Sequence, residues 1–429
     1  MIRVMEPARA TPANAGGVFL YFMPLTLLVF LVLPNGYLLD IATSFMLKNR
    51  LHATPAQIAD FRLLTAIPVY LSFAFGLARD LWNPFGLRDR GLLLIFGTAT
   101  AALFIWMSQA PLSYGGLLVG MFLVMFTFSF VAAAARGLLA LVSQEQLMSG
   151  RLSALWNAVS STPYAAGAFA SGYLSAHLPP DRMFLLVAAF AGAIALLGLW
   201  KPAAVFTHAY DNPLARGSTF VGDLRRLVRH RACYPPVLLV CLSQFSPGTN
   251  TPLQFYLTSE LGLPDEVYGN VLGIMAAGYI PACMLYGMLC RRLNLHTLLW
   301  IATIAYIVEA IPLLYIHSTT TALLMSVPMA LINGFAFTAY WDLALRSCPP
   351  GLQGSLMMLV AGAYELSYRV GDLVGAGIYG SATTHGFLTC VILATATSLI
   401  MVPVLRMIPR DLIATRDGEP GPAGGGVAG

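Results

Sequence analysis

The chain has 429 residues, 58% of them hydrophobic and 10% charged, with a formal net charge of +5 and a mean hydropathy of +0.73. Soluble domains carry about 25% charged residues, so this composition excludes a string of soluble domains. Alternation over about ten residues, the mark of a membrane β-barrel, is missing, and the modest positive charge follows the placement of arginines along the chain, which is no sign of nucleic-acid binding.

The N-terminus carries Arg3 and Arg9 ahead of an apolar run. That run is too long for a signal-peptide core and has no A-x-A-like exit, which predicts an uncleaved first span. Apolar stretches recur as far as Arg406 and predict an all-α polytopic membrane protein with twelve transmembrane helices. They are expected near 18–47, 61–82, 91–109, 114–142, 151–177, 182–201, 234–260, 267–289, 295–316, 319–345, 352–380 and 383–406. Several exceed the roughly 20 residues that cross a bilayer, so tilted or protruding helices are expected. The longest interruption, 202–233, is a basic central loop with Arg216, Arg225, Arg226, Arg229 and Arg231. It divides a six-helix bundle at 1–201 from another at 234–410, and the Gly/Pro-rich residues 411–429 read as a disordered tail.

Basic residues set the orientation. With the N-terminus in the cytoplasm, 18 Lys and Arg residues fall on cytoplasmic segments; only Lys48, Arg50, Arg62 and Arg182 fall on the other side. Both termini should therefore be cytoplasmic, in a bacterial inner membrane. The two lysines, Lys48 and Lys201, lie outside any G-x4-G-K-[ST] loop, so no P-loop ATPase is expected. Six scattered cysteines read as small buried thiols. There is no H-E-x-x-H, G-x-S-x-G or cluster of metal ligands, and the seven histidines sit mostly in loops or at span ends. Neither an enzyme, a cofactor nor a metal site is expected.

The halves echo each other. Gly150 and Leu152 match Gly354 and Leu356, followed at equal spacing by Tyr164 and Tyr368, then by Gly167 and Gly371. Leu139 to Leu141 match Leu343 to Leu345 at the same offset of 204, while Phe45 and Leu47 match Phe255 and Leu257 at 210. The second register sets Asp40 opposite Asn250. Two parallel bundles around a central cavity are expected.

The loop after span two reads Gly76, Arg79, Asp80, Gly86, Arg88, Asp89, Arg90. It resembles the signature loop of the major facilitator superfamily, with the spacing stretched between Asp80 and Gly86. Its counterpart, Gly287 to Arg291 and Arg292, keeps the glycine and the basic residues but lacks the Asp. Two further stretches are similar to the folate–biopterin transporter branch: Pro247 through Phe255, Tyr256, Thr258, Glu260 and Gly262 to Tyr268 and Gly269, and Cys348-Pro349-Pro350-Gly351. The same features suit muropeptide, siderophore or pigment-related relatives. The resemblance implies two six-helix bundles, span eleven lining the cavity, and transport in the direction of uptake.

Ionisable residues inside spans cost about 2.5 kcal/mol or more and need a partner or a task. In span eleven Glu365, Arg369 and Asp372 share one helical face. Either they form an internal ladder that locks the helix, or Arg369 binds an anionic solute while Glu365 or Asp372 titrates. Asp40 follows the helix-breaking Pro34-Asn35-Gly36 and is either a proton site or an interfacial carboxylate. In span seven Ser246, Asn250 and Gln254, spaced by four, share one face and read as a hydrogen-bonding wall for a polar ligand. Arg136 and Asp342, near the ends of spans four and ten, are either an inner gate pair or, for Arg136, a snorkelling side chain. Asp80 with Arg79, Arg88 and Arg90 reads as a conformational latch. Trp156, Asn157 and Tyr164 of span five, with Tyr364 and Tyr368 beside Arg369, pack the core or stack on a flat heterocyclic solute.

The function expected is a secondary active transporter of a small polar, anionic or aromatic solute, working by alternating access. Protons are the expected coupling partner, and a monomer suffices. A folate- or pterin-like solute is favoured by the resemblance; the alternatives are a permease for a siderophore or muropeptide, or a non-transporting assembly or pigment-handling factor, in which the span-eleven charges serve folding alone.

Overall fold

The computed structural model of the chain describes residues 15–177, 179–206, 220–381 and 385–420. Among the described residues the helices group into twelve passages near the expected places, span two starting six residues earlier than expected, and eight helices are by themselves long and apolar enough to cross a membrane. Seven are unbroken: span three Asp89–Gln109, four Tyr114–Glu145, five Ser149–His177, six Pro180–Leu199, eight Asp265–Leu289, ten Thr319–Ser347 and eleven Gln353–Ser381. Five are segmented. Span one is Ala15–Val32 then Tyr37–Phe45, closed by a π-helical turn Met46–Arg50; span two is Pro55–Thr65, Ile67–Tyr70 and Ser72–Leu81. Span seven is Tyr234–Gln244 then Thr251–Phe255 with a π-helical turn Tyr256–Glu260. Span nine joins Leu295–Ile307 to a tight turn Ile311–Tyr315, and span twelve joins Gly386–Leu399 to Met401–Arg406.

Local chemistry explains where the helices start and break. Thr54 and Gln57 form a reciprocal capping box at the start of span two, and Ser113, Asn294 and Ser318 cap spans four, nine and ten with their side chains. Pro34 and Pro247 lack the amide that a continuous helix needs, and each is followed at once by residues that tolerate turns. The breaks at Leu33–Gly36 and Phe245–Asn250 follow. The repeat is backbone-deep. The π-helical turns begin at 46 and 256, and the next helices at 55 and 265, both 210 apart; spans five and eleven begin at 149 and 353, 204 apart.

Within the first half span three packs on four and six, and span one on five; within the second, span eight packs on ten and span seven on eleven. Between halves, span eight lies along five and span eleven along two and four. Both the start of span one and the end of span twelve lie on one face, the terminal face. The hydrogen bonds that join the halves gather near it. Ser72 donates to the Met358 carbonyl at 2.7 Å, Ser153 to the Thr338 carbonyl at 2.7 Å, and the Gln144 amide to Leu345 and Cys348 at 3.0 and 2.8 Å.

Two close approaches depend on glycine. A Cβ on Gly76 would overlap the Gly354 carbonyl across the halves, and one on Gly375 would overlap the Pro247 carbonyl at the break of span seven. Gly371 likewise sits against Phe245 and Ser246, whereas Gly377 faces open space and is no contact glycine. Gly76→Ala and Gly375→Ala are therefore each expected to lower stability by about 1–3 kcal/mol or more. Thermal unfolding in detergent checks this, with Gly377→Ala expected to match the wild type.

Three expectations change. Span four continues to Glu145, three residues further than the sequence suggested. The central loop contains the helix Phe220–Arg229, whose Arg226 pairs with Asp223 and reaches the Pro350 carbonyl; Arg216 lies outside the described residues. The tail is not loose as far as Pro420: a short helix Arg410–Ile413 leads into a segment packed on the terminal face, while 421–429 lie outside the described residues.

Candidate solute site and gates

The middle of the molecule brings together the break of span one with spans four, five, ten and eleven. Arg136 of span four lies nine residues inside its helix end, deep enough to meet span five. Its guanidinium stands over the Trp156 ring at 6.0 Å and reaches the Met358 sulfur at 3.7 Å, while its buried Nε has no hydrogen-bond partner. Phe30 of span one backs the site, edge-on to Trp156 at 5.6 Å and tilted to Tyr164 at 6.1 Å. Tyr364 meets Phe337 edge-on at 5.5 Å. A cation with an unspent donor, set among aromatic faces, suits an anionic or aromatic solute.

Span eleven holds both helix breaks. Glu365 accepts a bond from the Asn35 amide at 3.2 Å, in the break of span one. Tyr368 donates to the Asn250 side-chain oxygen at 3.0 Å, in the break of span seven. Asp372 accepts from the Thr251 backbone and hydroxyl at 2.9 and 3.1 Å, satisfying the start of the helix that resumes there. The three charges do not pair with one another: Arg369 is exposed and lies over the Tyr368 ring at 5.7 Å.

Several pairings expected from the sequence do not form. Arg136 does not meet Asp342, which instead accepts from Tyr286 at 2.7 Å and pairs with Arg346 at 3.0 Å. The wall of Ser246, Asn250 and Gln254 does not exist as a helix face, because Phe245–Asn250 is not helical; Gln254 is exposed. Asn157 is buried and turned onto the Ser153 carbonyl of its own span at 2.9 Å. Asp40 is partly exposed and pairs with Arg62 at 3.1 Å.

The signature loop builds a buried knot on the terminal face. Arg79 makes a bidentate pair with Asp89 at 2.6 Å on both arms and a third bond to Asp80 at 2.7 Å. Asp80 then crosses to the other half, accepting from Gly354 and Ser355 amides at 3.1 and 2.7 Å and from the Ser355 hydroxyl at 2.6 Å. These are free amides at the start of span eleven, where a helix favours negative charge. Gly137 makes room: a Cβ there would stand 2.6 Å from the Arg79 guanidinium carbon. Arg90 is no part of the knot; it donates to the Gly198 and Leu199 carbonyls at the end of span six, at 3.0 and 2.8 Å. The Arg88 backbone amide donates to Asn83 at 2.8 Å.

A second knot joins the other pair of spans. Arg346 donates to Ser149 at 2.9 Å as well as to Asp342. The tail adds Asp417, whose carboxylate accepts from the Gly150 amide at 2.8 Å and pairs with Arg151 at 2.5 Å. Burial first, and the neighbouring Asp342 next, push the Asp417 carboxyl up from its ordinary value against the pull of Arg151. Asn35, Asp89, Ser355 and Asp417 are the residues that sequence reasoning passed over. Asn35 and Asp89 stood inside motifs already singled out; Asp417 had no signal beyond its charge.

Two repeated six-helix bundles, with broken helices facing across a polar centre, define a polytopic membrane transporter. The chain belongs to the Major Facilitator Superfamily, whose family model matches residues 16–372. It is 23% identical over 395 residues to the folate-biopterin transporter of Synechocystis sp., covering 86% of this chain and 78% of that protein. It is 24% identical over 394 residues to sugar efflux transporter B of Salmonella typhimurium, covering 88% and 92%. Among solved structures, FucP in its outward conformation superposes with a TM-score of 0.71 at 15% identity, covering 92% of this chain and 99% of that one. The human organic anion transporter MFSD10 (TETRAN) gives 0.63 at 15% identity, covering 91% and 99%. These similarities fix the fold and the class.

Proposed function

We propose that the protein carries a small anionic, aromatic solute of the folate or pterin class across a bacterial inner membrane by alternating access, driven by protons. The observation that carries this reading is Arg136: a buried Nε without a partner, on the face of Trp156. A solute carboxylate would satisfy that donor while its ring stacks among Trp156, Tyr164 and Tyr364. Glu365, held by the neutral Asn35, is the carboxylate best situated to exchange a proton as the bundles rock. The name of the Synechocystis relative supports the solute class. Positive residues favour both termini in the cytoplasm; the terminal face is then the closed inner gate, and the molecule faces outward. A single chain contains the whole site.

The test is uptake of labelled folates, pterins and sugars into proteoliposomes under an imposed inward pH gradient, with efflux measured from preloaded vesicles. Accumulation of folate or pterin that collapses with a protonophore supports the reading. Movement of sugars alone, or folate flux indifferent to the gradient, overturns the solute or the coupling respectively. The Salmonella relative, named for sugar efflux, makes outward sugar movement the specific second reading.

A further inference from the structure

We propose that the tail segment Arg410–Pro420 is a working part of the terminal-face gate, with Asp417 supplying in the second half the acid that Asp80 supplies in the first. The inference rests on alternating access but not on the identity of the solute.

The argument starts from the repeat. In the first half Asp80 ends span two and binds residues 354 and 355 at the start of span eleven. Carried through the register of 210, position 80 falls on 290, which is Cys290, and through the register of 204 positions 354 and 355 fall on Gly150 and Arg151. The second half thus has the helix start but no acid at the end of span eight. Asp417 makes the missing contacts, with the Gly150 amide and the Arg151 side chain.

The segment is anchored on both halves. Asp417 donates its amide to the Cys290 carbonyl at 3.0 Å, and Gly418 donates to the Leu147 carbonyl at 2.7 Å. Arg346 holds the Thr415 carbonyl at 3.0 Å. The Asp417 side chain is fully buried. Cys290 is no bystander, for a Cβ added to Gly150 would stand 2.8 Å from the Cys290 Cβ. A side chain at 290 therefore faces the very helix start that Asp417 occupies. Opening the terminal face separates span five from span eight and must break these bonds, so the tail stabilises the sealed state.

The experiment uses the full-length purified protein with spin labels at Lys201→Cys and Arg291→Cys, both exposed on the terminal face, one on each half. Pulsed dipolar spectroscopy then reads the distance across that face, with each introduced cysteine labelled singly, and the protein without either, as controls for the six native thiols. Asp417→Ala and a chain ended after Ala414 are expected to raise the ratio of open to sealed molecules by about tenfold, the scale of one buried charge-assisted contact. Adding Cys290→Asp to Asp417→Ala is expected to return the ratio towards wild type, since an acid is restored at the register position of Asp80. Glu419→Gln, which touches only the exposed Arg416 pair, is expected to change nothing. An unshifted distance distribution in folded Asp417→Ala overturns the proposal. If that variant does not fold, Asp417→Asn, which keeps the side-chain size, is measured instead, and an unshifted distribution there overturns it equally. Absence of folate uptake would leave these distances untouched, so failure of the solute reading is recognised separately.

Discussion

Arg79→Met is expected to be among the most damaging single substitutions in the protein, costing about 3–5 kcal/mol. The methionine keeps much of the side-chain volume, so the loss is electrostatic. Arg79 is the cation between Asp80 and Asp89, whose side chains are 1% and 2% exposed. Without it, two carboxylates stay buried and lose the cation they share. Neutralising one of the two buried carboxylates should recover part of the loss: Arg79→Met with Asp89→Asn is expected to be more stable than Arg79→Met alone. Thermal unfolding of the three variants in the same detergent measures this. A double variant less stable than the single one would mean that Asp89 has a partner stronger than Arg79.

Arg136→Gln is the second large effect, and it falls on function. If the unpartnered Nε is reserved for the solute, losing a charge-assisted bond of about 1.5–3 kcal/mol weakens binding by roughly 10–150-fold. Stability should hold or improve, because the substitution removes a buried Nε that has no hydrogen-bond partner. Glu365→Gln should behave differently. It keeps a hydrogen-bond partner for Asn35 and preserves binding, but accumulation against a gradient should fail while solute exchange continues. Binding by Arg136→Gln equal to wild type would move the solute elsewhere in the cavity. Gradient-driven accumulation by Glu365→Gln would remove Glu365 from the coupling step.

Much of this was legible in the sequence, because a bilayer imposes long apolar runs that survive substitution and the loop arginines mark their ends. What failed was resolved on the scale of single turns. Ser246, Asn250 and Gln254 satisfy a helical spacing, yet Pro247 and Gly248 lie between the first two, and a missing amide outweighs periodicity. Arg136 and Asp342 looked paired because both were measured from helix ends; one sits nine residues from its end and the other five. Of the candidate site, the members of span eleven were visible as charges, but their partners were not, since Asn35, Asn250 and Thr251 become available only once two helices break. Asp417 was hidden by averaging: a Gly/Pro-rich composition describes the tail, and one buried carboxylate does not alter it.

The shared support of both helix breaks by span eleven carries a thermodynamic consequence. Glu365 steadies one discontinuity, while Tyr368 and Asp372, three and seven residues on, steady the other. A rigid helix cannot answer to one without informing the other. Linkage then demands reciprocity: if occupancy at the span-seven break changes the proton affinity of Glu365 by some factor, protonation changes that occupancy by the same factor. Two ligands that never touch would thus be priced against each other through a single helix.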